Sequence, residues 1–229
     1  QDDYVLTSTT PTASTQQTSG SLYSPTLNIH EAYFAINPNQ NQDFTVFFGR
    51  QELSYGDQLI MGAVPWSRWG RSFDAIKARY VYDQKITVDL FAAKLQDNDY
   101  LGSSSGTKPD DSNLYGVYAS SNLGQYFKNV DLYFLQKDAN SSAGNLFSDS
   151  SALGVRAKSP IGDSNFDYRT EYTYENTRLI AGAEESKSQH QFDIELGHTL
   201  SFHNTRLALE YFESSKSFDQ LFPTGHKYL

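Results

Sequence analysis

The chain has 229 residues, a formal net charge of -9, no cysteine, and an aromatic share of 14%. That acidity works against nucleic-acid binding, which needs clustered Lys and Arg against phosphate, and the lack of Cys removes disulfide frameworks and thiolate metal sites. A bilayer-crossing helix needs about 18 consecutive apolar residues, and none are present. A barrel wall asks only that every second residue be apolar, so a mean hydropathy of -0.57 is compatible with one.

In chain order, the first alternating stretch is Leu27–Asn37. Ala32, Phe34 and Ile36 oppose Glu31 and Tyr33 there, although Leu27 and Ile29 fall on the other parity. Phe44–Gln51 is apolar on both parities and puts Arg50 on the Phe44, Val46, Phe48 face; a bulge at Gly49 or a position above the bilayer would reconcile this. The period of two is clean from there on. Ile76, Ala78, Tyr80 and Tyr82 oppose Lys77, Arg79 and Val81; Ile86, Val88, Leu90 and Ala92 oppose Thr87, Asp89, Phe91 and Ala93. Further on, Val130, Leu132 and Phe134 oppose Asp131 and Tyr133, and Leu153 and Val155 oppose Gly154, Arg156 and Lys158. Phe166, Tyr168, Thr170, Tyr172 and Tyr174 oppose Asp167, Arg169, Glu171 and Glu175. Phe192, Ile194 and Leu196 oppose Asp193 and Glu195, and Leu207, Leu209 and Tyr211 oppose Arg206 and Glu210.

Short links near 38–42, 83–85, 122–128, 160–165 and 202–205 alternate with long ones near 10–25, 57–72, 99–112, 139–149 and 179–188. Outer-membrane barrels place short turns on the periplasmic side and long loops outside. The pattern predicts an all-β, antiparallel transmembrane β-barrel with about ten to eleven strands present. Residues 1–229 then form a single barrel domain in the bacterial outer membrane.

Three ordered stretches resemble the bacterial alginate export porin family. They are Phe48-Gly-Arg-Gln-Glu-Leu53 with Tyr55-Gly-Asp57, Trp66-Ser-Arg-Trp-Gly-Arg-Ser-Phe-Asp74, and Phe218-Asp-Gln-Leu-Phe-Pro-Thr-Gly-His-Lys-Tyr-Leu229. The resemblance implies a large barrel whose polar lumen passes an exported anionic polysaccharide. It also implies further strands, so the sequence is expected to be an incomplete portion of a longer chain. Arg50, His226 and Lys227 are the motif residues it singles out, Arg50 as a tether between loop and wall.

Inward parity gathers Lys77, Arg79, Arg156, Lys158, Arg169 and Arg206 with Asp89, Asp131, Asp167, Glu171, Glu175, Asp193, Glu195 and Glu210. Six cations thus meet eight carboxylates. They can brace neighbouring strands or set lumen selectivity by touching cargo, and both roles are open. Trp66, Arg68, Trp69 and Arg71 interleave indoles with guanidiniums, a loop pattern suited either to stacking on sugars or to interfacial anchoring.

Same-face carboxylates such as Asp193 and Glu195 superficially match a glycosidase pair, but such pairs arise on any charged strand. The five His lack metal-ligand spacing, and no nucleophile-elbow, phosphate-loop or dinucleotide motif occurs. An enzyme, a metal site and a cofactor are not expected. The expected function is an outer-membrane pore for passive passage of a hydrophilic solute or an alginate-like exopolysaccharide. The alternative is a structural or partner-binding barrel with a plugged lumen and no transport. Outer-membrane lipid, the solute itself and a partner protein are the expected contacts.

Overall fold

A computed structural model describes residues 29–38, 43–66, 70–96, 112–124, 126–139, 148–179, 185–203, 205–216 and 218–224. Ten strands follow one another: β1 (Ala32–Ile36), β2 (Phe44–Gln51), β3 (Phe73–Tyr82), β4 (Ile86–Gln96), β5 (Ser112–Ser121), β6 (Asn129–Ala139), β7 (Ser148–Pro160), β8 (Phe166–Leu179), β9 (Glu185–Thr199) and β10 (Arg206–Ser214). Among the described residues there is no helix. The strands form one sheet in the order of the chain, every neighbouring pair antiparallel. This is the all-β meander that the period of two predicts.

Register fixes the faces, since a one-residue slip would turn every side chain over. Ile76, Leu90, Val117, Leu132, Phe134, Leu153, Val155, Ile194 and Leu196 are all exposed on one face. In a lipid environment that face is solvated by acyl chains, so its exposure to water is not the relevant state. Tyr82, Tyr126, Phe127, Phe166 and Phe202 lie exposed around the short-turn end, where amphipathic rings settle at a membrane boundary.

The register through Gly49 is continuous on both sides, with Tyr33 opposite Gly49 and Gly49 opposite Ala75, so there is no bulge at that glycine. Its φ of 120° and the nearness of the Ala32 carbonyl leave no room for a side chain. Arg50 stays on the outer face at the long-loop end, where its guanidinium donates two hydrogen bonds to Asp74 at 2.9 and 2.8 Å. Its remaining contact is with the Ile29 carbonyl at 3.5 Å. Arg50 therefore ties β2 to β3 and to the approach of β1, not to the following loop.

One predicted long loop is shorter than expected. β8 and β9 pair out to Leu179 opposite Glu185, so the link near 179–188 contracts to 180–184. Thr177, Asn176 and Glu175 continue the ladder against Lys187, Ser188 and Gln189, where polar side chains on both faces had obscured the alternation.

Candidate functional site

The inner face of the sheet carries the charges. Arg79 on β3 donates to both Asp89 oxygens on β4 at 2.7 Å. Arg156 on β7 reaches Asp131 on β6 at 2.7 Å. Arg169 on β8 lies 3.0 Å from Asp193 and 3.6 Å from Glu195, both on β9, and 2.5 Å from Glu210 on β10. Arg206 bridges Asp167 on β8 and Glu195. Lys77 lies over the Phe47 ring at 4.6 Å. Glu171 accepts the Tyr133 hydroxyl at 2.7 Å, and Glu175 accepts the Asp219 backbone N–H at 2.9 Å. The inward-parity residues thus do meet, mostly as cross-strand pairs.

Two segments lie across this face. The first leaves β2 and runs through residues 52–66. Its Leu53, Ile60 and Met61 are buried against Phe73, Phe91, Leu114, Tyr118, Tyr133 and Leu135 of the wall. Tyr55 stacks on Tyr118 at 4.4 Å and on Phe91 at 5.5 Å, and its hydroxyl donates to Asp89 at 2.9 Å. Burial, reinforced by the Asp89 charge, pushes the Tyr55 phenol well above its ordinary pKa. Gly56 follows at φ 57°, with Tyr118 and Arg156 so close that an added Cβ would stand 2.9 Å from the Tyr118 hydroxyl. This turn delivers Asp57 to the wall, where Arg156 Nε donates to it at 2.7 Å and Lys158 Nζ lies at 3.4 Å.

The second segment follows β10, and it spans from the β8–β9 wall towards β3. Lys137 pairs with Asp219 at 2.8 Å, Gln220 donates to Gln191 at 2.9 Å, and Phe222 meets Phe73 edge-on at 5.3 Å. The two segments then pair with each other: Gly62 N–H donates to the Phe222 carbonyl at 2.8 Å, Phe222 N–H to Ile60 at 2.9 Å, and Thr224 N–H to Gln58 at 3.0 Å. Arg71 seals the junction by donating to the carbonyls of Gly62 and Pro223 at 3.0 and 3.2 Å, with its guanidinium 5.5 Å from the Phe222 ring. Burial lowers the Arg71 pKa. Arg71 therefore acts inside the junction, while Trp66 is exposed. Arg68, Trp69, His226 and Lys227 lie outside the described residues.

The sequence reading missed Tyr55, Asp57, Met61 and Phe222 as lumen residues. A signal was available: Leu59-Ile-Met-Gly-Ala-Val64 is too apolar for a solvated loop. Towards the short-turn end the inner face stays open as a cavity of about 520 Å³, lined by Asp57, Lys128, Lys158, Asp167, Arg169, Glu195 and Arg206 among others.

An apolar outer face, a charged inner face and loops folded onto the latter are the anatomy of a barrel wall. Residues 16–229 match a family described as Alginate export. The chain belongs to the alginate export family. A search of curated proteins found no match to it. The alginate export family is a transport family, and membership together with the all-β fold points to an outer-membrane barrel.

Proposed function

We propose that this chain supplies its ten described strands to the wall of an outer-membrane pore through which an exopolysaccharide leaves the cell passively, down its gradient. The observation that carries this reading is the division of one meander into an apolar outer face and an inner face of Arg, Lys, Asp and Glu. Among the described residues the outer edges of β1 and β10 carry no neighbouring strand, and in lipid such edges must be paired. An anionic, alginate-like polymer suits the short-turn mouth, where Lys128, Lys158, Arg169 and Arg206 outnumber Asp57, Asp167 and Glu195 around the open cavity, because an excess of fixed cations favours anions in a pore.

The two crossing segments favour a second reading, a plugged barrel that transports nothing. Apolar residues of the 52–66 segment fill part of the lumenal face, as internal plugs do in other barrels. Planar-bilayer recording on the full-length protein separates the two. Single-channel current, blocked reversibly by added polysaccharide, is expected from the pore, and no current with loops intact would sink that reading.

A further inference from the structure

The outer face of the sheet is not evenly covered. Across β3–β6 it holds an open groove of about 470 Å³, lined by Ile76, Ala78, Leu90, Ala92, Tyr115 and Phe134 among others. The register sets Ala92 between Ile76 and Tyr115, and Ala78 opposite Leu90, so two methyl groups stand where their neighbours carry large side chains. The groove therefore descends to the backbone of Gly116, across whose inner side the Phe91 ring lies. No charged side chain is among those that line it.

The charges begin one step nearer the long loops. Asp74 and Lys94 share the outer parity of Ile76 and Ala92 two residues away, a step of about 7 Å along a strand. Pairing extends this rung to both sides, with Arg50 opposite Asp74, Asp74 opposite Lys94, and Lys94 opposite Asn113. Lys94 is thus centred over the groove, between Arg50 on one side and the Asn113 amide on the other. Asp74 takes Arg50 Nε and Nη2, and the contact of Arg50 Nη1 among the described residues is the Ile29 carbonyl at 3.5 Å. Asp138, opposite Asn113, accepts from Gln136 at 2.8 Å. A cation-bearing rung at the head of an apolar groove has the two parts of a lipid site, one for a chain and one for a headgroup.

We propose that this groove and rung bind one phosphorylated glycolipid of the outer leaflet, with an acyl chain along Ala78 and Ala92 and a phosphate at Lys94 and Arg50. Long loops lie outside in an outer-membrane barrel, so the leaflet within reach is the outer one, whose lipid head carries sugar hydroxyls as well as phosphates. The mixed rung fits such a head. Lys94 and Arg50 Nη1 donate to phosphate oxygens, while Asp74, 58% exposed, and the Asn113 amide have acceptors and donors for hydroxyls. A zwitterionic phospholipid brings an ammonium beside its single phosphate, which offsets the attraction that basic residues have for anionic lipid. The site rests on the outer-membrane placement of the wall and requires no transport.

Native mass spectrometry of the full-length protein, stripped of lipid in detergent and titrated with doubly phosphorylated lipid A, tests the site. Lipid A should stay bound under conditions that release phosphatidylethanolamine. Lys94→Gln is expected to weaken lipid A about fivefold, the scale of one basic residue at an anionic membrane surface. Ala92→Phe fills the groove and should weaken it about tenfold, because several methylenes lose their seat. Lys85→Gln, between β3 and β4 at the short-turn end, should change nothing. Folding of each variant is checked by heat-dependent migration in detergent gels, and Ala78→Phe replaces Ala92→Phe if the latter fails the check. Equal retention of the two lipids, lipid A binding untouched by Lys94→Gln or by Ala92→Phe, or an equal loss with Lys85→Gln would each overturn the proposal. Single-channel current on the same preparations keeps the site apart from the pore. Lipid A retained without current sinks the pore alone, and current without lipid A retention sinks the site alone.

Discussion

Arg156 of β7 and Asp57 of the 52–66 segment form a buried ion pair across 99 positions of sequence. The side chains are only 6% and 7% exposed, so water screens the pair little. Replacing Asp57 by Asn leaves Arg156 bonded to Asp131 but removes the segment's charged anchor. Breaking a buried pair costs about 3–5 kcal/mol, and because Arg156 keeps Asp131, the lower end is expected here. The Asp57→Asn protein should unfold at lower denaturant and show larger, noisier single-channel conductance, and conductance unchanged from wild type would mean the segment is held without this pair.

The glycines under the aromatic rings make a sharper steric prediction. Gly154→Val puts a branched side chain where Tyr133 lies, and Gly116→Val does the same under Phe91. Overpacking of this kind costs about 1–3 kcal/mol. Both variants should lose that much stability in denaturant titration, whereas Gly124→Ala, with nothing within 4 Å of its Cβ position, serves as the exposed-turn comparison and is limited to the strain of its φ of 119°. Equal losses at all three glycines would refute the ring-over-glycine account.

What was legible in the sequence was what local alternation controls. Leu132, Phe134, Leu153 and Val155 face outward as their parity requires, and Asp131, Tyr133 and Arg156 face inward. The segments laid over the inner face were not legible, because no period links Met61 to Phe222, whose bridge joins parts of the chain far apart in sequence. Asp57 read as a loop residue for the same reason. The ladder beyond Glu175 and Gln189 was hidden by polar side chains on both faces, which pair as well as apolar ones do once the register is set.

Tyr55 gives the segment a pH dependence. Its phenol is held above the ordinary value of 10.0 by burial and by Asp89, so the docked loop binds the proton more tightly than a released loop. Docking is at full strength below pH 10 and weakens as pH climbs above about 10, where the released phenol ionises. Wild-type conductance should therefore rise at strongly alkaline pH, and Tyr55→Phe, which cannot ionise, should lack that component. A rise of equal size in both proteins would assign it to other groups.

The assignment of faces predicts a contrast between Leu132 and Ser120. A charged side chain on the lipid face near the bilayer midplane costs about 2–4 kcal/mol. Leu132→Arg should lose that much stability in lipid vesicles, whereas Ser120→Arg, on the inner face beside Asp131, should lose far less. Similar losses at both positions, measured by urea titration in vesicles, would remove the basis for calling the outer face lipid-facing.

Ion selectivity should be governed by the exposed cations Lys158 and Arg206 and not by the buried arginines. Arg156 and Arg169 have side chains 6% and 3% exposed and are surrounded by carboxylates, so their charge is largely spent within the wall. Lys158 and Arg206 are 49% and 40% exposed and line the open cavity at the short-turn end. Charge reversal at Lys158 and Arg206 together should lower the anion-to-cation permeability ratio at least roughly fivefold at low salt, since even one charge about 4 Å from a passing ion in water contributes about 1 kcal/mol. The effect should shrink as ionic strength shortens the screening length. Neutral substitutions at Arg156 and Arg169 should instead lower stability while leaving the ratio nearly unchanged. A ratio that moves with Arg156 and Arg169, and not with Lys158 and Arg206, would assign selectivity to the buried arginines of the wall.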